Sequence, residues 1–241
     1  MSCSIEPGPN VTVWTLPASS ATDLGYAVTT ATTSAWLVVP DGRCGLAVVD
    51  DEVWWMGPLS RPWRPDRSGV RVLGVRLAIS AGRVVAGQSL AGWRDARAPL
   101  RELWGQQACT ELTTHLALAG SAQNKVAVLA REAQRRASSA SGRSEVASLA
   151  QLVVTGRSVA DIAATLAITP RQVHRRCTDL FGLPPSTMRR IARLHKAART
   201  RTTAGRVTLA DLASGSGYAD QSHMTREVHA LTGQPPRPAF S

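Results

Sequence analysis

The sequence predicts an α+β chain. A β-rich first part is followed by two helices, and then by an all-α part in which a linker helix joins two helix-turn-helix motifs. Three observations predict it. Short apolar runs broken by turn dipeptides fill roughly the first hundred residues, the apolar period becomes helical at Gln106, and a pattern beginning at Ser158 returns about fifty residues later. The organisation expected is a β-rich domain with its helix pair over residues 1–137, a linker at 138–143 and a helical domain at 144–241.

In the β-rich part, Ala35 to Pro40 and Arg43 to Val49 flank Asp41-Gly42, a dipeptide suited to a tight hairpin because glycine accepts a positive φ. Asp50-Asp51 then sets off Val53 to Met56. The run from Gly69 to Ile79 places Val70, Val72, Val75, Leu77 and Ile79 on one phase and Arg71 and Arg76 on the other. Six of the seven tryptophans fall here, at 14, 36, 54, 55, 63 and 93, with Trp104 at its end; core packing explains them better than a ligand pocket. The segment Arg61 to Arg67 reads as a solvated, arginine-rich loop, with anion binding as the sharper alternative.

From Gln106, Ala108, Leu112 and Leu116 recur at helical spacing, and Val126, Leu129 and Ala133 do so within Gln123 to Arg136. Ser138 to Arg143 is small and polar and reads as the linker. Beyond it, Val146, Leu149, Leu152 and Val153 share one helix face, with Ser144 as the expected N-cap.

The duplication comes next. Ser158-x-x-Asp161 and Thr208-x-x-Asp211 have the form of capping boxes, in which a hydroxyl and a carboxylate satisfy the free donors of a helix start. In the first copy Ile162, Ala163 and Leu166 face inward, Pro170 opens a second helix, and Val173, Cys177 and Leu180 form its inner stripe. In the second copy Gly217 ends the first helix, Asp220 or a neighbour starts the next, and Met224, Val228 and Leu231 face inward. Arg171, His174 and Arg175 are thereby left exposed in one copy, and Gln221, Ser222, Thr225 and Arg226 in the other. Between the copies, Ser186 to Arg201 carries Met188, Ile191, Leu194 and Ala198 against Arg189, Arg190, Arg193, Lys196 and Arg199.

Composition narrows the partner. Hydrophobic residues are 44% and charged residues 19%, the balance of a chain with a sizeable core. The net charge of +11 is uneven: ten basic residues face nine acidic ones up to position 110, and eighteen face eight after it. A basic second half points to a polyanion. Only Lys125 and Lys196 are lysines, so the charge is almost all guanidinium, which suits phosphates and guanine edges; a GC-rich coding sequence would bias the composition the same way. Cys3, Cys44, Cys109 and Cys177 lack the spacing of a zinc site or a disulfide framework. With neither a signal-like start nor an apolar run of membrane length, the expected location is the cytoplasm.

The stretch Gly217 to Pro236, preceded by Thr208 to Ala213, resembles the second helix-turn-helix of the AraC/XylS family of bacterial transcription regulators, and the first copy with its linker helix fits that family's first motif. The resemblance covers Ser144 to Phe240. It implies a sequence-specific, double-stranded DNA-binding regulator that inserts two helices into successive major grooves. Base contacts would fall on Arg171, His174, Arg175, Gln221, Ser222, Thr225 and Arg226, and phosphate contacts on Arg189, Arg190, Arg193 and Lys196. Cys177 and Val228 stand where the family usually has aromatic residues and Arg176 where it is commonly apolar, which implies a first motif that packs loosely or reads DNA weakly. The β-rich part and Leu100 to Gly105 resemble the N-terminal domains of actinobacterial members.

The further partners expected are RNA polymerase, a small-molecule effector of the N-terminal part, and a second copy docking through residues 106–137. No cofactor, metal, membrane or catalytic residue is expected. Two rivals stand beside this reading. In one, the N-terminal part serves dimerisation alone. In the other, the chain is a fusion of regulator and alkyl-transfer repair enzyme with Cys44 or Cys109 as acceptor, which needs a depressed thiol pKa that nothing nearby in the sequence supplies.

Overall fold

A computed structural model describes residues 11–15, 22–29, 37–63, 71–138, 143–204 and 207–239. The first part is a six-stranded antiparallel sheet: β1 (Val11–Thr15), β2 (Thr22–Thr29), β3 (Gly45–Val49), β4 (Glu52–Met56), β5 (Arg71–Leu77) and β6 (Arg97–Pro99), in the order β1-β2-β5-β3-β4-β6. Strand β3 pairs with β4 and with β5 in register, so Leu46 lies between Trp55 and Val75, and Val48 between Val53 and Leu73.

That face of the sheet holds the first core. Leu46, Trp55, Val75 and Leu77 are fully buried on it. Helices α3 (Gln106–Leu118) and α4 (Ala122–Ser138) cover it with Leu112, Leu116, Val126, Leu129 and Ala133. Each of the leucines, and Val126, contributes roughly 1.5–3 kcal/mol relative to exposure. Both helices arise where the helical period begins in the sequence, although Cys109 takes the place expected for Ala108 on the buried stripe.

Two β expectations are corrected. The tight hairpin joins β3 to β4 through Asp50 and Asp51, whose φ values of 47° and 68° are those of a primed turn. Asp41-Gly42 instead turns a loop: Gly42 has φ 73°, and the Asp41 carboxylate accepts from the Arg43 N–H at 3.0 Å and from Arg76. Before it, Val38 makes only an isolated bridge with Trp63. The phase expected for Gly69 to Ile79 also fails, because β5 is regular against β3. Arg76 shares its face with Val72, and both lie opposite Val75 and Leu77. Among the tryptophans, Trp55 is enclosed edge-on to Trp93 and Trp104 Nε1 donates to the Val85 carbonyl at 2.9 Å. The loop of Arg61 to Arg67 lies mostly outside the described residues, as does the linker, with Ser138 closing α4 and Arg143 opening the next helix.

The sheet continues into a 3-10 turn (Ile79–Ala81), α1 (Gly82–Ala86) and, after β6, α2 (Arg101–Trp104). The helical part then runs α5 (Arg143–Val154), α6 (Val159–Thr165), α7 (Pro170–Phe181), α8 (Pro185–Ala204), α9 (Leu209–Ser216), α10 (Gln221–Thr232) and α11 (Pro236–Ala239) around a second core. Helix α5 begins one residue before Ser144, which therefore lies inside the helix instead of capping it.

Candidate nucleic-acid interface

Local capping chemistry builds both motifs. At α6 the Ser158 hydroxyl accepts from the Asp161 N–H at 3.0 Å, while the Asp161 carboxylate accepts from the Ser158 N–H and hydroxyl at 3.3 and 2.7 Å. Those hydrogen bonds hold the Asp161 carboxyl below the usual carboxylate range. At α7 a second box pairs Thr169 with Gln172, ahead of Pro170 in the first turn. Sequence reasoning missed it, although the Thr-x-x-Gln spacing was there to find. In the second motif Thr208 caps α9, Gly217 ends it at φ 84°, and Asp220 caps α10 by accepting from the His223 N–H at 2.6 Å.

Behind the caps lie the inner stripes. In α10, Met224, Val228 and Leu231 are fully buried. In α7 the buried stripe is Val173, Cys177 and Phe181, with Leu180 only half-buried. Phe181 supplies the aromatic bulk that Cys177 lacks, and Arg176 reaches out to an ion pair with Glu145 of α5. The first motif therefore closes on a complete core, contrary to the loose packing expected.

The opposite faces carry the polar groups. Arg171, His174 and Arg175 are exposed on α7, and Gln221, Ser222 and Arg226 on α10. Thr225 is half-buried, its hydroxyl donating to the Gln221 carbonyl at 2.9 Å. Helix α8 touches α5, α7, α9 and α10, and its 20 residues give a rod of about 30 Å.

The cations of α8 do not form one uniform row. Lys196 is exposed, whereas Arg189 is half-buried with its Nε covered and without an acceptor among the described residues. Arg193 turns onto Glu227 of α10, and Arg190 reaches the same carboxylate at 3.3 Å. His223 Nδ1 accepts from the Ala219 N–H, which leaves Nε2 facing Glu227 at 3.3 Å. Tyr218 lies under the Arg193 guanidinium at 5.4 Å and beside the His223 ring. Sequence reasoning missed Glu227 as the centre of this cluster, because its arginine partners lie on α8.

Residues 162–239, from within α6 through α11, match a helix-turn-helix domain family profile. This segment is an AraC-type helix-turn-helix domain. Among solved structures the chain is similar to ToxT from Vibrio cholerae. A 1.65 Å structure of that protein shares 9% identity over 96% of this chain and 98% of that one, with a TM-score of 0.46. The unsaturated-fatty-acid-bound form shares 10% identity over 98% and 97%, with a TM-score of 0.43. An apo variant shares 12% over 95% and 96%, also at 0.43. No curated protein matches the sequence.

Outside the AraC-type domain, the thiols considered as acceptors are enclosed. Burial pushes Cys44 up to about 12, with the Asp41 charge adding to it and Arg76 opposing. Cys109 is raised by burial against Arg136 and Arg101. Among the described residues no group of His, Cys, Asp and Glu could hold a metal ion, and no helix is long and apolar enough to cross a membrane.

Proposed function

We propose that the protein is a sequence-specific, double-stranded DNA-binding transcriptional regulator that reads successive major grooves with α7 and α10. The supporting observation is the pair of capped motifs inside the AraC-type domain, each with a polar face turned to solvent. Arg175 and Arg226, at equivalent places, would each present two donors to guanine O6 and N7, while Gln221 suits adenine. Arg171, His174, Ser222 and Thr225 would complete the base contacts. Lys196 and Arg189 would lead the phosphate contacts, with Arg190 and Arg193 acting mainly through Glu227.

The protein acts in the cytoplasm as a regulator, not an enzyme, with RNA polymerase as its partner at promoters. The sheet and its helices receive either a small-molecule effector or a second copy through residues 106–137. Leu118, 80% exposed at the end of α3 beside an open groove of about 700 Å³, favours the latter.

Gel shifts on a selected DNA and on its scrambled counterpart test the reading. Arg226→Ala should cost about 1–3 kcal/mol of discrimination at one base pair. Equal loss on both DNAs would count against direct readout.

A further inference from the structure

The two reading helices are seated differently. At the end of α7, the Asp179 carbonyl accepts from the Leu90 N–H at 2.8 Å, and Arg83 Nε lies 3.0 Å from the Asp179 carboxylate. One of the last carbonyls of α7, which a helix end leaves without an internal partner, is thus satisfied by the N-terminal part. Gly182 follows at φ 69°, and a Cβ there would stand 2.8 Å from Pro58 Cγ and 2.9 Å from the Leu90 carbonyl oxygen. Only glycine meets both the backbone angle and the close approach.

Apolar packing runs through the same seam. Ile79 and Val39, from the sheet side, pack into the helical core. The 3-10 turn holding Ile79 touches α5 and α7, and α1 touches α7. Nearby, His195 of α8 donates from Nε2 to the Pro40 carbonyl at 2.9 Å. Among the described residues the equivalent end of α10 has no such close seat: at Gly233, with φ 69°, the nearest atom a Cβ would meet is Pro62 Cγ at 3.9 Å.

We infer that the N-terminal part sets the pose of the first reading helix, with Leu90, Ile79, Asp179 and Gly182 as positioning residues. Base discrimination by Arg171, His174 and Arg175 depends on this seam, and discrimination by α10 does not. The inference rests on the proposal that α7 and α10 read DNA.

The test uses the full chain carrying Ile79→Glu, the milder Ile79→Ala, and Gln123→Glu as a control that adds the same charge on an exposed turn of α4. Hydrogen exchange is read first. The Leu90 amide and the amides of 178–182 should lose protection in both Ile79 variants, whereas those of 229–233 and the whole control should keep it. Unchanged protection at 178–182 in both variants overturns the inference, whatever the protein binds. DNA is then selected from a random pool. Wild type should prefer a two-part site, with about 5- to 150-fold discrimination at each contacted base pair. The Ile79 variants should lose the part that Arg175→Ala loses and keep the part that Arg226→Ala loses. Both parts retained in a chain whose seam has opened overturns it. A wild-type chain that selects no site defeats the DNA-reading proposal instead, and leaves the exchange result to decide the seam.

Discussion

Arg193 on α8 grips Glu227 on α10 with a forked guanidinium: Nη2 lies 2.7 and 2.8 Å from the two carboxylate oxygens, and Nε 3.2 Å from one of them. Both side chains are under a fifth exposed, so the pair is shielded from the screening that weakens surface ion pairs. Arg193→Ala should destabilise the protein by about 1.5–3 kcal/mol, the worth of hydrogen bonds to a charged group; Arg190 and His223 still partner the remaining carboxylate. Arg190→Ala, at a more exposed position, should cost less than about 1 kcal/mol. Urea unfolding midpoints check both, and equal losses would show that the fork has no special role.

The same geometry separates the α8 cations in DNA binding. A free cation at a phosphate releases counterions, so removing Lys196 should lower the slope of log K against log salt by about 0.9 on every DNA sequence. Arg193 already has its counter-charge in Glu227, and Arg193→Ala should leave that slope nearly unchanged. Titrations between low and moderate salt measure it. A loss of about 0.9 for Arg193→Ala would place its guanidinium on a phosphate despite Glu227.

What could be read in the sequence follows the range of the forces involved. Caps such as Ser158 with Asp161 act over three residues, and the stripes of α4 and α10 repeat over three or four, so both were legible. The hairpin was misplaced because Asp41-Gly42 and Asp50-Asp51 are both turn dipeptides, and the glycine made the wrong one look stronger. Register against β5 decides between them, and register is a long-range property. The roles of Glu227, Leu90 and Pro58 were invisible for the same reason: the arginines that meet Glu227, and the α7 residues that meet Leu90 and Pro58, lie 34 or more residues away. Phe181 was missed by one position, because the inner stripe of α7 continues at i+8 from Val173 and not at i+7.

The cysteines offer a chemical check on the alkyl-transfer rival. Burial pushes Cys177, like Cys44, up to about 12. At pH 8 a thiol with that pKa is ionised in about one molecule in ten thousand, and the thiolate is the reactive form. Peptide mapping after brief exposure of the native chain to a thiol alkylator should find neither cysteine modified, and both modified in denaturant. Selective native labelling of Cys44 would reopen the acceptor reading.

His195 provides a pH signature for the seam. Burial pushes its pKa below the ordinary 6.5; the Asp41 charge and the Pro40 carbonyl oppose this, while Arg43 and Arg199 add to it. The folded chain thus favours the neutral ring, whose Nε2–H donates to Pro40. A depressed histidine contributes stability that is full above the unfolded value of about 6.5 and is lost as pH falls toward the folded value. The Asp41 carboxyl, which burial would raise, is held below 3.8 chiefly by Arg76, so its contribution is lost only at still lower pH. His195→Gln keeps an N–H donor for Pro40 without a titrating ring. Between pH 7.5 and 5, wild type should therefore lose more stability than the variant, by at most about 1.4 kcal/mol per pH unit. Unfolding midpoints across that range measure the difference. Parallel profiles would mean that His195 does not take up the proton, and that the contact with Pro40 is indifferent to its charge.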